Sequence, residues 1–257
     1  MSLGAACRAE WTKVRTVWST PVALGIAVAL SAGLGGLVGL AMHRPLPAAQ
    51  EAKFDLLFPA WYGLTLAQLA LVVFAVLQLT GEYSTGTIWP SLAAVPNRAT
   101  FHLAKTLTVL AVSGAASAAM VTAAFVGARV GLRPRVLDPG GPGVLESAVG
   151  AWLYLELMAA FALGVASVLR RPVPTLAVLL PTLFLGAQGL GGIPKLGAVT
   201  QYLPDQLGWV MLHLAGPQDD PRWARDYGAW TGLALLAGWV LVTHLAGYLL
   251  LRHRDPG

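Results

Sequence analysis

Charge is scarce in this 257-residue chain: 11% of its residues are Asp, Glu, Lys or Arg, against 56% that are hydrophobic. A soluble domain carries roughly a quarter charged residues, so this composition cannot cover a water-facing surface. Cysteine is nearly absent, and the single Cys7 permits neither an internal disulfide nor a cysteine-built metal site. Lysine is rare too. Lys13, Lys53, Lys105 and Lys195 follow Thr, Ala, Ala and Pro, whereas a phosphate-cradling Walker A loop needs Gly before its Lys. No ATP site is encoded. No serine sits in G-x-S-x-G, and the histidines form neither H-E-x-x-H nor an i, i+4 pair. A disordered chain, a disulfide scaffold and a soluble hydrolase or metalloprotease are therefore excluded, and no catalytic, cofactor-binding or metal-ligating residue is assigned.

What is abundant is apolar length. Mean hydropathy is +0.65, and a bilayer core of about 30 Å needs roughly 20 apolar helical residues to cross. Six stretches meet that requirement: 21–42, 60–79, 107–126, 148–169, 172–190 and 228–251. The fifth carries Pro174 and Pro181, which predicts a kinked or broken helix. The expectation is an all-α polytopic membrane protein, one transmembrane domain over 1–257. The run 21–42 is longer than a signal-peptide core and follows a basic segment, so it reads as a retained anchor. An even number of crossings puts both termini on one side. That side holds Arg8, Lys13, Arg15, Arg98, Lys105, Arg170, Arg171, Arg252 and Arg254 against Glu10, Glu82 and Asp255, in short loops. The opposite side balances its charges. Basic density predicts cytoplasmic termini.

The segment 1–20 has helical periodicity. Leu3, Cys7, Trp11, Val14 and Trp18 fall on one stripe, with Arg8, Thr12, Arg15 and Thr16 opposite, as expected of an amphipathic helix at the membrane interface. Between the second and third stretches runs Thr80-Gly81-Glu82-Tyr83-Ser84-Thr85-Gly86-Thr87-Ile88-Trp89-Pro90, then Ser91 to Val95, Pro96 and Asn97. It places a carboxylate, a phenol and several hydroxyls where a helix leaves the bilayer, and Gly and Pro punctuate a short turn. Asn97 is an N-cap candidate for the next helix. On that helix Arg98, His102 and Lys105 make one basic face, which anionic headgroups alone would explain.

Glu10-Trp11-Thr12-Lys13-Val14-Arg15-Thr16-Val17, Gly81-Glu82-Tyr83-Ser84-Thr85-Gly86-Thr87-Ile88 and Ser91-Leu92-Ala93-Ala94-Val95-Pro96-Asn97-Arg98 with Ala104-Lys105 resemble the type-2 ABC transporter permeases of high-GC bacteria. The motifs cover about thirty residues, and the six-stretch layout extends the likeness over the chain. The resemblance implies a connecting helix carrying Glu10, Trp11, Lys13 and Arg15. It implies a coupling element, docked on a separate ATPase subunit, carrying Glu82, Tyr83, Ser84, Thr85, Gly86, Thr87, Ile88, Trp89 and Arg98. ATP and Mg would bind the partner, not this chain. A homodimer or a heterodimer with a second permease, in the bacterial plasma membrane and exporting a small molecule, drug or lipid, is the implied assembly. Trp18 and Trp89 depart from the family, which often carries a basic residue there.

Residues 202–214 of the outer connection are too apolar for a free loop and too short to cross, which fits a re-entrant or an interfacial helix equally; family members cap the exit path there. Glu156 is the acid well inside a stretch, a functional candidate by location. It is read as structural or substrate-contacting, with a proton-coupled secondary transporter as the alternative. A non-transporting scaffold or immunity protein is the other. Gly35-x-x-x-Gly39 would let a second helix approach closely, and the family pattern puts a dimer contact on the first and fifth stretches.

Overall fold

The computed structural model describes residues 1–44, 54–188, 197–216 and 224–253, and every regular element among them is helical. In chain order these are α1 (Leu3–Thr16), α2 (Ser19–Ala41), α3 (Phe58–Tyr62), α4 (Leu64–Ser84), α5 (Ile88–Ala94), α6 (Arg98–Gly131), α7 (Val144–Leu169), α8 (Pro172–Ala187), α9 (Gly197–Thr200) and α10 (Ala229–His253). Five segments are long and apolar enough to cross a membrane: α2, α3 with α4, α6, α7 and α10. The fifth expected stretch is shorter than the others. α8 has 16 residues, about 24 Å at 1.5 Å per residue, and keeps Pro181 inside it. The expected end of that stretch at residues 189–190, like Lys53, Lys195, Arg222, Arg254 and Asp255, lies outside the described residues.

Burial orders the bundle. α4 and α7 are the most enclosed, α2 and α10 the most peripheral. α2 packs along α6 and α4, α10 packs on α7, and α8 lies against α4 and α7. The α2–α6 seam is built from small residues. A Cβ on Gly127 would stand 2.1 Å from the Ala32 carbonyl oxygen, and one on Gly35 would stand 2.5 Å from that of Ala124. Only glycine lets two backbones pass that closely. Gly35-x-x-x-Gly39 thus meets α6 of its own chain, which uses the approach face within the fold rather than for a second copy.

α6 runs 34 residues, about 51 Å, well beyond the 107–126 expected from hydropathy. Its extra turns at the start form a platform on which α1 packs. Asn97 caps it, its side-chain oxygen accepting the Thr100 N–H at 3.1 Å. α4 likewise continues to Ser84, so Glu82 sits in the last turn of a helix rather than in a loop.

Residues 201–214 fold back into the far end of the bundle as consecutive turns, not as the regular helix expected. Pro204 and Gly208 interrupt any longer helix there. The backbone is satisfied by short-range bonds such as Leu212 N–H to Gly208 O at 2.9 Å and by phenols. Tyr227 donates toward the carbonyls of Gln201 and Gln206, at 2.9 and 2.8 Å, and Tyr154 toward that of Asp205 at 3.2 Å. A buried segment of this kind holds only when its polar groups are met in this way.

Candidate functional site

The sequence motifs at the two ends of the first half of the chain converge on one cluster. Glu10 and Lys13 of α1, Glu82 of α4 and Lys105 of α6 form a closed ring of alternating charge. Lys13 Nζ is 2.6 Å from Glu10 Oε1 and 2.8 Å from Glu82 Oε1. Lys105 Nζ is 2.5 Å from Glu82 Oε1 and pairs with Glu10 Oε2 as well. Glu10, Glu82 and Lys105 are 4%, 8% and 4% exposed. Lys13 places its third bond on Ser91 Oγ of α5, 2.9 Å away, so all three ammonium donors are used. Four helices therefore meet at one neutral knot, buried except for the side of Lys13. Burial works to lower the Lys13 pKa, and the bonds to Glu10 and Glu82 outweigh it, holding the ammonium above its ordinary value.

This arrangement bears on two expectations. Of the stripe expected at the interface, Leu3, Trp11 and Trp18 are exposed, whereas Cys7 is half-buried and Val14 packs inward with Ala6 and Glu10. The exposed part faces outward, as an interfacial helix requires, while the buried acid faces in. Arg98, His102 and Lys105 share one side of α6 by their spacing, but that side turns inward instead of lying open at the surface. Lys105 lies with Phe101, Ala104 and Thr108 on the buried side of α6, Arg98 is half-buried, and His102 Nε2 meets His244 Nδ1 of α10 at 3.1 Å. Lys105 is the residue that a reading by charge alone misses. Its apolar neighbours at i−4, i−1 and the small Thr108 at i+3 carry the signal.

The rest of the expected coupling element spreads over α4, the turn and α5. Tyr83 is half-buried with the Arg170 guanidinium 5.6 Å from its ring centre, which ties the α7–α8 corner to the end of α4. Ser84, Thr85, Gly86 and Thr87 are exposed. Gly86 has φ +73°, the left-handed conformation that turns the chain from α4 into α5. Thr85 Oγ1 bonds the Gly81 carbonyl at 2.8 Å and Thr87 Oγ1 at 2.9 Å, stiffening the turn. Ile88 and Leu92 pin α5 to the core at 1% and 6% exposure, while Trp89 projects outward at 53%. On α1, Trp11 and Arg15 are exposed, and Trp18 is 81% exposed at the corner into α2.

Glu156 lies apart from the ring. Its carboxyl accepts from Ser113 at 3.1 Å and Ser117 at 3.3 Å, both on α6, so it bridges α6 and α7. At the far end a second polar cluster holds the 201–214 segment. Arg225 stands 4.8 Å from the Trp209 ring centre and donates to Gln206 Oε1 at 2.9 Å. Asp205, 2% exposed, occupies the space that a side chain at Gly186 of α8 would fill. Burial pushes the Asp205 carboxyl up to about 6, against the opposing pull of Gln206 and Arg225. His213 Nδ1 is 2.6 Å from Asp55 Oδ2, linking the segment to the turn before α3. Burial raises the Asp55 pKa, and the bonds from His213 and the Leu57 N–H more than offset it, leaving the carboxyl below its usual range. Among the described residues no three His, Cys, Asp or Glu side chains gather to hold a metal ion.

Compared with known proteins, the chain matches no family model and no curated protein.

Proposed function

We propose that this chain is the membrane-spanning permease subunit of an ATP-driven transporter, crossing the bilayer six times with both termini in the cytoplasm. α1 is its connecting helix and Glu82 to Pro96 its coupling element. A separate ATPase subunit binds ATP and Mg, docks on residues 80–98 and drives export of a small molecule, drug or lipid across the bacterial plasma membrane. Two permease chains, identical or not, enclose the path. The observation that carries the reading is the ring of Glu10, Lys13, Glu82 and Lys105 with Ser91 beside it. A push delivered to α5 enters α1, α4 and α6 together through that knot, and α4 and α6 run on into the bilayer without a break. A short stiff turn transmits displacement, whereas a long loosely tethered loop absorbs it. The absence of a Walker A lysine in the sequence agrees with a passive partner.

The test is reconstitution in vesicles with each ABC ATPase subunit of the source organism. The expected result is ATP-dependent flux with one of them, none with the permease alone, and hydrolysis uncoupled from flux when Glu82 to Thr87 are replaced by alanine. Flux that survives this replacement contradicts the coupling assignment. Flux driven by a pH gradient without nucleotide, and abolished by Glu156→Gln, would instead make the chain a secondary transporter. The two serine bonds to Glu156 support a helix-pairing role over proton transfer.

A further inference from the structure

Glu156 stands midway along α7, a helix of 26 residues from Val144 to Leu169. Its two carboxyl oxygens accept from Ser113 at 3.1 Å and Ser117 at 3.3 Å, and a donor on each oxygen is the pattern of a carboxylate. Among the described residues it pairs with no cation. Lys105 of α6 lies eight residues before Ser113, about 12 Å along the axis, and is engaged by Glu10 and Glu82. No Lys or Arg falls within any of the six apolar stretches, so neither this chain nor a second copy sets a base at that depth. The serines are fully buried, but Glu156 itself is only half-buried. Gly114 leaves its approach clear: a Cβ there would meet the Glu156 carboxyl first, at 3.6–3.7 Å. Trp152, one turn before Glu156, is 37% exposed. Its indole N–H donates to the Gly114 carbonyl at 3.0 Å, which fixes the ring beside the carboxyl. Leu153 and Leu157 flank the pair and are half-buried.

We infer that Glu156, Trp152 and the gap at Gly114 form a binding site for a hydrophobic organic cation, and that this is the class of molecule the chain carries. The second half of that statement rests on the reading of the chain as a permease. An ionised carboxylate within a bilayer is costly unless it is paired. With no base at its depth, the missing charge comes from a ligand. The indole adds cation–π attraction, and the leucines receive the ligand's apolar body. An inorganic cation would need more oxygens than one carboxylate and two hydroxyls supply and would gain nothing from an indole and leucines. An anion would be repelled by the same carboxylate. The serines hold the carboxyl in place, so pairing α6 with α7 and presenting the charge are one arrangement.

The experiment uses the full chain in phosphatidylcholine nanodiscs, with radiolabelled tetraphenylphosphonium as the probe, tetraphenylborate as its anionic counterpart and empty discs as the blank. Saturable binding of the cation and none of the anion is expected. Glu156→Gln should weaken that binding by about tenfold or more, and Trp152→Leu by about threefold or more. Gly114→Leu covers the carboxyl without removing its charge and should weaken binding as well, while Glu156→Asp should retain more of it than Glu156→Gln. Each variant is first checked by size exclusion and thermal unfolding, and Gly114→Leu carries the test if Glu156→Gln is misfolded. Cation binding no greater than in empty discs, or indifferent to Glu156→Gln and Gly114→Leu, overturns the site. The same probe is then followed in vesicles with each ABC ATPase subunit of the source organism. ATP-dependent flux of tetraphenylphosphonium that is lost in Glu156→Gln supports the cargo assignment. ATP-dependent flux of other molecules, with this cation bound but not moved, overturns that assignment and leaves the permease reading intact. Absence of any ATP-dependent flux overturns the permease reading and the cargo assignment together, and the binding result then judges the site by itself.

Discussion

Lys105 carries the most consequence of any single residue, because its ammonium holds two buried carboxylates together. Lys105→Met leaves Glu10 and Glu82 facing one another with only the half-exposed Lys13 between them. Removing one partner of a buried ionic group costs about 3–5 kcal/mol, and the measurement is a loss of that order in thermal or denaturant stability in detergent. Replacing Lys105, Glu10 and Glu82 together with apolar residues of similar size should restore much of that stability without restoring the proposed ATP-dependent flux. Such a result separates holding the helices together from transmitting motion. At the far end two carboxyls make opposite pH demands. Asp205 is raised to about 6, so its contribution is present below the ordinary carboxylate range and is lost as pH rises through about 6. Asp55 is lowered, so its contribution is present above that range and is lost as pH falls through its own depressed value. Asp205→Asn should therefore flatten the stability loss between about pH 4 and 6, the window between the ordinary carboxylate value and the raised one, and Asp55→Asn should flatten the loss on strong acidification. Unfolding midpoints across a pH series read both.

At the scale of the elements, the α2–α6 seam is the least tolerant of added volume. Gly127→Leu puts a side chain where the Ala32 carbonyl already stands, and the two helices must part. Overpacking of this kind costs about 1–3 kcal/mol, and the variant should lose stability while Gly33→Leu, where a Cβ meets nothing within 4 Å, should not. The long helices were legible because hydrophobic length alone demands them, and five of the six stretches appear as helices of crossing length. What hydropathy could not give is where a helix continues past the bilayer. α4 and α6 extend on polar residues that pair with each other, a tertiary reason with no local signature. The motifs located the site, since Glu10, Lys13 and Glu82 were each singled out. Their assembly was not legible, because contact between residues some seventy apart leaves no trace in spacing. The inward turn of Lys105 was not legible for the same reason. Residues 202–214 read as too apolar for a loop, but their irregular backbone depends on phenols from α7 and from Tyr227, which lie far off or in another segment.

For the whole molecule, a multi-pass membrane protein follows from composition and from five long apolar helices. Its two ends differ in kind. One is a cationic platform knitted by the charge ring, and the other is closed by a turn-rich segment held on buried polar contacts. A device of this shape can pass displacement from one side of a membrane to the other only if the platform lies where ATP is. Sidedness of the turn between α4 and α5 therefore tests the account most directly. On a Cys7→Ala background, Thr85→Cys places one thiol at that exposed turn, and intact cells are treated with a membrane-impermeant maleimide. The account predicts no labelling until the membrane is opened and full labelling afterwards. Labelling of the thiol in intact cells would put the turn on the outer surface, beyond the reach of any ATPase, and would contradict it.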